Sequence, residues 1–227
     1  MKRPVVSLVV GGLLLGSLQA AELKTLDQRY SYTLGVRMAR MLKAEGIGKL
    51  DGAAFGEAVA DVINGNNLQL SEEEMTEVLK QRSEQLRRQT ARKAEEALER
   101  SKRFLAKNAK KPDVHVLPSG VQYQVIEGGK GTPPGPEDKV KVHYEGRTID
   151  GRKFDSSRDR GQPAVFALQG VIKGFAEALT RMKPGARWKV FIPPELAYGS
   201  RGAGNLIGPN EALVFDLELI EVLPRGG

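Results

Sequence analysis

The stretch Tyr144–Pro163, YEGRTIDGRKFDSSRDRGQP, decides how this chain is read. Nine of its twenty residues are charged, the composition of a solvated loop. Tyr144, Ile149 and Phe154 nevertheless sit inside it, and Asp155 follows Phe154 directly. Either these are stray hydrophobes on a turn, or the segment is an apolar wall whose outer side is kept soluble by charge.

Upstream, DKVKVHYEG places Val140, Val142 and Tyr144 at every second position. SGVQYQVIEGG does the same with Val121, Tyr123 and Val125, and RWKVFIP with Trp188, Val190 and Ile192. ALVFDLELIEV sets Leu213, Phe215, Leu217 and Leu219 against Asp216 and Glu218. Period-two alternation broken by turn residues predicts half-buried antiparallel strands with one face on a core. One helical pattern interrupts them, GFAEALTRM, with Phe175, Leu179 and Met182 on one side. A short helix on an antiparallel sheet is α+β, predicted for residues 113–227.

The first half reads differently. LDQRYSYTLGVRMARMLKAEG spaces Tyr30, Leu34, Met38, Met41 and Leu42 as a helix face, and DGAAFGEAVADVINGNN spaces Phe55, Val59, Val62 and Ile63 likewise. Asp51 is the expected cap of the second helix and Gly65 its end. Two helices this short bury too little alone, so the stripe of Tyr and Met needs a partner, and a second copy is the economical one. Ser71 and Glu74 then form a capping box, with Leu70 and Met75 at staple spacing, and no glycine or proline follows until after Lys111. A helix from Glu72 to about Asn108 is predicted, polar nearly all round after Leu86, and read as a connecting rod. The divisions expected are residues 1–20, 21–70, 71–112 and 113–227.

Residues 1–20 open with the basic MKRP and continue through VVSLVVGGLLLGSL, an uncharged run of 14 residues, into small residues. This is the three-part pattern of a signal peptide, cut after Ala20 or Ala21. The run is short of the ~20 apolar residues that span a bilayer, so a cleaved signal is favoured over a retained N-terminal anchor, and no stable membrane insertion is expected after cleavage. The mature chain is expected to be exported to the periplasm, with outer-membrane association or secretion as the alternatives. The chain has no cysteine, which excludes disulfides, thiol nucleophiles and cysteine-bound zinc. Its net charge of +7 is concentrated: residues 82–111 hold 11 basic and 4 acidic side chains, while 113–227 hold 15 and 14. A charge run on a helix is a solvated face, and no nucleic-acid partner is expected.

Conventional catalysts are scarce. The two histidines are His115, between elements, and His143, in an alternating strand on the face opposite Tyr144. No HExxH, CxxC, GxSxG or phosphate loop occurs, so no metal or cofactor is expected. What remains is a series of apolar residues at turns and strand ends, in five ordered blocks: VHYEG, DGRKFDSSRDRGQPAVF, VIKGFAEAL, PPELAYGSRG and GPNEALVFDLELIEV.

These blocks resemble the FKBP-type peptidyl-prolyl cis-trans isomerases. The first half resembles the macrophage infectivity potentiator branch and its periplasmic relatives. The resemblance implies an FKBP fold, a sheet wrapped on a short helix, and a homodimer through residues 22–85. It implies catalytic roles for Tyr144, Asp155 and Tyr198, and a substrate-binding wall of Phe154, Phe166, Val171, Ile172, Phe175, Ile207 and Phe215. The Ile172 amide and the Tyr198 hydroxyl become expected donors to ligand carbonyls. Implied partners are proline-containing unfolded or partly folded polypeptides, and the family's macrolide inhibitors at the same pocket. Three positions depart from the pattern: Phe175 stands where tryptophan is common, Ala164 replaces an aromatic found in some members, and Ala203 with Gly204 alters the segment after Tyr198. A non-covalent isomerase with chaperone activity is the resulting expectation; a holdase that grips unfolded exported chains is the alternative.

Overall fold

The computed structural model describes residues 22–223, so the signal-peptide reading of residues 1–20 lies outside the described residues. The described residues divide into two compact units, with the boundary between Ser71 and Glu72.

The first unit holds α1 (Leu26–Ala44) and α2 (Gly52–Asn64). Thr25 and Gln28 form a reciprocal capping box at the start of α1, with bonds of 3.1 and 3.0 Å. The Asp51 carboxylate accepts the Ala53 and Ala54 N–H groups at 3.0 and 3.1 Å, and Gly65 ends α2 at φ 68°, as the spacing predicts. Neither helix contains a buried residue. Tyr30, Leu34, Met38, Met41, Val59, Val62 and Ile63 are between 41% and 78% exposed.

The second unit opens with α3 (Glu72–Asn108), 37 residues and therefore roughly 55 Å at 1.5 Å per residue. Then come β1 (His115–Val116), β2 (Gln122–Glu127), β3 (Lys139–Thr148), β4 (Lys153–Ser156), β5 (Ala164–Ala167), α4 (Lys173–Leu179), β6 (Arg187–Ile192) and β7 (Leu213–Leu223). The strands form one sheet in the order β1-β2-β6-β7-β3-β4, with β5 also paired to β3 and every pairing antiparallel. The alternating residues meet on one face: Val140, Val142 and Tyr144, then Val190 and Ile192, then Leu213, Phe215, Leu217 and Leu219. Phe175, Leu179 and Met182 pack on them from α4 and the turn after it. Burying such a side chain is worth about 1.5–3 kcal/mol, so this face carries the stability of the unit.

The other face departs from strict alternation. Gln122 and Phe191 are buried although they lie out of phase with the core residues, and Val125 is exposed although in phase. The cause is α3, whose last turns lie on the outer face of β2 and β6. The Asn108 amide donates to Gln122 at 3.0 Å, Gln122 donates to the Leu105 carbonyl at 3.0 Å, and Phe104 faces Phe191 at 6.0 Å. The helix read as polar nearly all round thus has a docked end, with Ala97, Ser101 and Asn108 buried. Val125 pairs with the core residue Trp188 and is nevertheless left exposed, just before the register shift between Val125 and Glu127. On the core face, Trp188, Tyr123 and His115 stack in series toward the sheet edge, at 4.2 Å with 10° between planes and then 5.0 Å with 25°.

Candidate active site

The charged stretch Tyr144–Pro163 is built as a split strand edge. β3 turns back at Thr148–Gly151, where the Gly151 N–H reaches the Thr148 carbonyl at 3.0 Å, and β4 pairs Gly146 with Asp155. After Ser156 the chain leaves the sheet and carries Arg158, Asp159 and Arg160 outward. It returns as β5 along the same strand, Ala164 opposite Val142 and Phe166 opposite Val140. Ser157 staples the break. Its hydroxyl accepts the Tyr144 N–H at 2.8 Å, its N–H donates to the Tyr144 carbonyl at 3.0 Å, and His143 Nδ1 lies 3.1 Å from the same hydroxyl. His143 is therefore part of the strand's anchorage.

On the core side of this edge lies a cavity of about 260 Å³, lined by Tyr144, Phe154, Phe166, Val171, Ile172, Phe175, Tyr198 and Phe215, with Gly170 beside them. Phe175 is central to its aromatic wall. It meets Phe215 at 5.1 Å and 71°, Phe166 at 6.1 Å and 89°, and Tyr144 at 6.0 Å and 84°. Phe154 closes on Phe215 edge to face at 5.7 Å. These tilted pairs are the arrangement the ring quadrupoles favour, so the rings brace one another. Val171 and Ile172 reach the wall from the segment between the short 3₁₀ turn Leu168–Gly170 and α4. Gly146 lies against Phe154 and Phe215, and leaves no room there for a side chain.

Of the ten residues expected at the site, eight line this cavity. Asp155 is joined to it through Tyr144, and Ile207 is not on its wall. Ile207 is buried in the adjoining core, and its backbone pairs with Ala203 in the segment after Tyr198. Ala164 packs against the same core from β5.

The polar rim contains a residue the sequence reading passed over. The Tyr144 hydroxyl donates to Asp155 Oδ2 and accepts from Arg160 Nη2 at 2.9 Å, while Arg160 Nη1 donates to Asp155 Oδ1 at 2.5 Å. The Arg160 guanidinium also stands 5.6 Å from the Tyr144 ring centre, within cation–π range. In sequence Arg160 is one of nine charges on a loop; only its spacing, five residues after Asp155, hints at a pairing. Burial works to raise the Asp155 carboxyl, but hydrogen bonds from Tyr144 and Arg160 outweigh it and hold it below the ordinary carboxylate range. Burial, aided by the Asp155 bond, raises the Tyr144 phenol, so it stays a donor at neutral pH. Tyr198 is raised by burial and then by the Asp155 charge. Its hydroxyl makes no hydrogen bond among the described residues.

Two rigid rims therefore flank an apolar cavity: one carboxylate and one phenol locked together, and one phenol free to donate. Nothing here is arranged as a nucleophile with its base. The site is suited to holding a small apolar ring and its adjoining polar backbone without breaking a bond.

Comparison with known proteins agrees. A family model described as FKBP-type peptidyl-prolyl cis-trans isomerase matches residues 130–220, and one described as the domain amino terminal to such isomerases matches 27–125. A relative from Coxiella burnetii, named peptidyl-prolyl cis-trans isomerase Mip, is 44% identical over 98% of this chain and 99% of its own. A Legionella longbeachae relative, named outer membrane protein MIP, is 39% identical over 98% of each. The crystal structure of FkpA from Escherichia coli is similar with a TM-score of 0.70 at 37% identity, covering 89% of this chain and 99% of that one.

Proposed function

The chain belongs to the FKBP-type peptidyl-prolyl cis-trans isomerases of the Mip/FkpA family, and from that premise we propose how its own residues act on an X–Pro bond. The observation that carries the reading is the 260 Å³ aromatic cavity with a carboxylate and two phenols around it. That volume lies below the ~300–1,000 Å³ of sites for drug-sized ligands, and suits one proline ring with its flanking peptide.

The proline ring seats on Phe175 among Phe154, Phe166 and Phe215. Rotation about the X–Pro bond crosses a barrier of ~18–20 kcal/mol because it breaks amide resonance. The twisted amide is less zwitterionic than the planar one. A water-poor aromatic wall therefore destabilises the planar ground state relative to the twisted state, which is the differential binding that catalysis requires. The Tyr198 hydroxyl and the Ile172 N–H donate to carbonyls of the bound chain. Asp155, fixed by Tyr144 and Arg160, supplies the negative edge of the site. Lowering the barrier by about 7 kcal/mol gives roughly five decades of rate.

The first unit and the opening turns of α3 are the dimerisation region in this proposal, with residues 22–85 of two copies paired isologously. Two helices without a buried residue, each leaving apolar side chains at helical spacing exposed, Met38 and Met41 on α1 and Val59 and Val62 on α2, support it. Export to the periplasm rests on the pattern of residues 1–20 and on the family's Legionella longbeachae member being named an outer membrane protein. Two sites joined in one dimer raise the effective concentration for a single client chain, which favours folding assistance as the working role.

The test is the cis-to-trans rate of a short X–Pro peptide with wild type, Asp155→Leu and Tyr198→Phe, beside suppression of client aggregation by the same proteins. Acceleration by wild type that falls in both variants is the expected result. Undiminished rates in both variants would remove these residues from the site, and aggregation suppressed without any acceleration would establish the holdase reading.

A further inference from the structure

The segment between β6 and β7 carries Tyr198 and is folded into a closed loop. The Asn210 N–H donates to the Gly199 carbonyl at 2.8 Å and shuts its neck. Inside, Ala203 and Ile207 exchange both backbone hydrogen bonds, at 2.8 and 3.1 Å. Gly202 sits at φ 65°, where a Cβ would fall 2.3 Å from the Ile207 carbonyl oxygen, so the loop packs on itself too tightly for any other residue. Such a loop moves as a body, and its position is set where it is fastened.

It is fastened to α3. Asn210 is the one non-glycine residue with positive φ among the described residues, at 57°, a conformation asparagine tolerates better than most. Its Nδ2 donates to the Ala94 carbonyl at 3.2 Å. Its own carbonyl accepts the Ser101 hydroxyl at 2.9 Å, and Ser101 in turn accepts the Ala212 N–H at 2.8 Å. Ser101 is 1% exposed. Ala94 and Ser101 are seven residues apart, two turns on one helix face, so both bonds fall on a single side of α3.

We propose that Asn210 and Ser101 are positioning residues of the isomerase: through them α3 holds the loop that places the Tyr198 hydroxyl at the cavity. The proposal rests on the reading of Tyr198 as a donor to the bound chain. Since that hydroxyl makes no hydrogen bond among the described residues, the placement of Tyr198 depends on its backbone, one residue from the Gly199–Asn210 neck. Misplacement by 1 Å can cost on the order of 10²-fold in rate, so a loosened fastening has a catalytic price.

The test is a double-mutant cycle on a short X–Pro peptide. Asn210→Gly keeps the positive φ and removes the side-chain donor; Ser101→Ala removes the other fastening if the first variant folds poorly. Each is measured alone and with Tyr198→Phe, with thermal denaturation alongside. The expected result is that kcat/KM falls about fivefold in the wild-type background, the worth of one hydrogen bond. In the Tyr198→Phe background it should fall about twofold or less, because the group being positioned is gone. Equal losses in both backgrounds, or none in the wild type, would overturn the proposal even where Tyr198→Phe itself is impaired. Wild-type activity in Tyr198→Phe would instead overturn the donor reading, and the positioning role with it.

Discussion

Gly146→Ala is the sharpest perturbation available at the cavity. Gly146 lies on β3 on the same face as Tyr144, and a Cβ there would stand 2.5 and 2.6 Å from Phe154 ring atoms and 2.8 Å from Phe215 Cε1. Ordinary contacts begin near 3.4 Å, so the rings must retreat by about 1 Å, and both belong to the aromatic wall. Overpacking of this kind costs about 1–3 kcal/mol. For a unit of this size the melting temperature should fall by roughly 2–10 °C. The catalytic loss should exceed what that instability explains, because displaced walls no longer fit the twisted amide. A drop in kcat/KM of about tenfold or more is expected at a temperature where the variant is fully folded. Phe154→Ala removes two of the three close contacts, so Gly146→Ala should destabilise that background less than the wild type, as read by calorimetry. Wild-type melting and wild-type kcat/KM in Gly146→Ala would refute the claim that this glycine sets the position of the wall.

Two further outcomes are expected. Asp155 has its carboxyl lowered in the folded protein, so its contribution is present above the ordinary carboxylate pKa and lost as pH falls through the folded value, in a window below about pH 4. Arg160→Leu removes one of the bonds that lower it, and the acid limb of kcat/KM should move to higher pH; an unmoved limb would show that Arg160 does not tune this carboxylate. Met38→Glu places a charge in the apolar stripe of the first unit, and burying it between copies should weaken self-association by at least about 10²-fold. Sedimentation at graded concentrations reads the shift to monomer, and an unchanged mass would take the interface away from α1.

Much of the second unit was legible because its physics is local. Val140, Val142 and Tyr144, or Leu213 through Leu219, alternate because one face meets a core, and the period survives in the sequence. The bounds of α3 were legible for the same reason, from a capping pair and an uninterrupted run. What alternation could not show was the second layer. Gln122 and Phe191 are buried by α3, and Ser101 and Asn108 are buried on α3, yet each is a polar or out-of-phase residue that reads as solvated face. Their partners lie 14 to 111 positions away, and no short window contains both members of such a pair. The cavity was legible only through family resemblance, since Phe154, Phe166 and Val171 have no periodicity in common. Arg160 was hidden by its charged neighbours, and Ile207 was carried onto the wall by the family resemblance, whereas it is buried in the core cluster behind it without lining the cavity.

The protein has a single tryptophan, Trp188, stacked on Tyr123 and not among the residues lining the cavity, whose central ring is Phe175. This separates two optical signals that other arrangements would mix. Intrinsic emission reports the integrity of the stack of buried Trp188 on Tyr123, and therefore unfolding, while occupancy of the cavity should leave it nearly unchanged. Ligand titrations by native fluorescence should be close to silent in this protein, and a tryptophan introduced at position 175 would give the cavity a spectroscopic voice of its own.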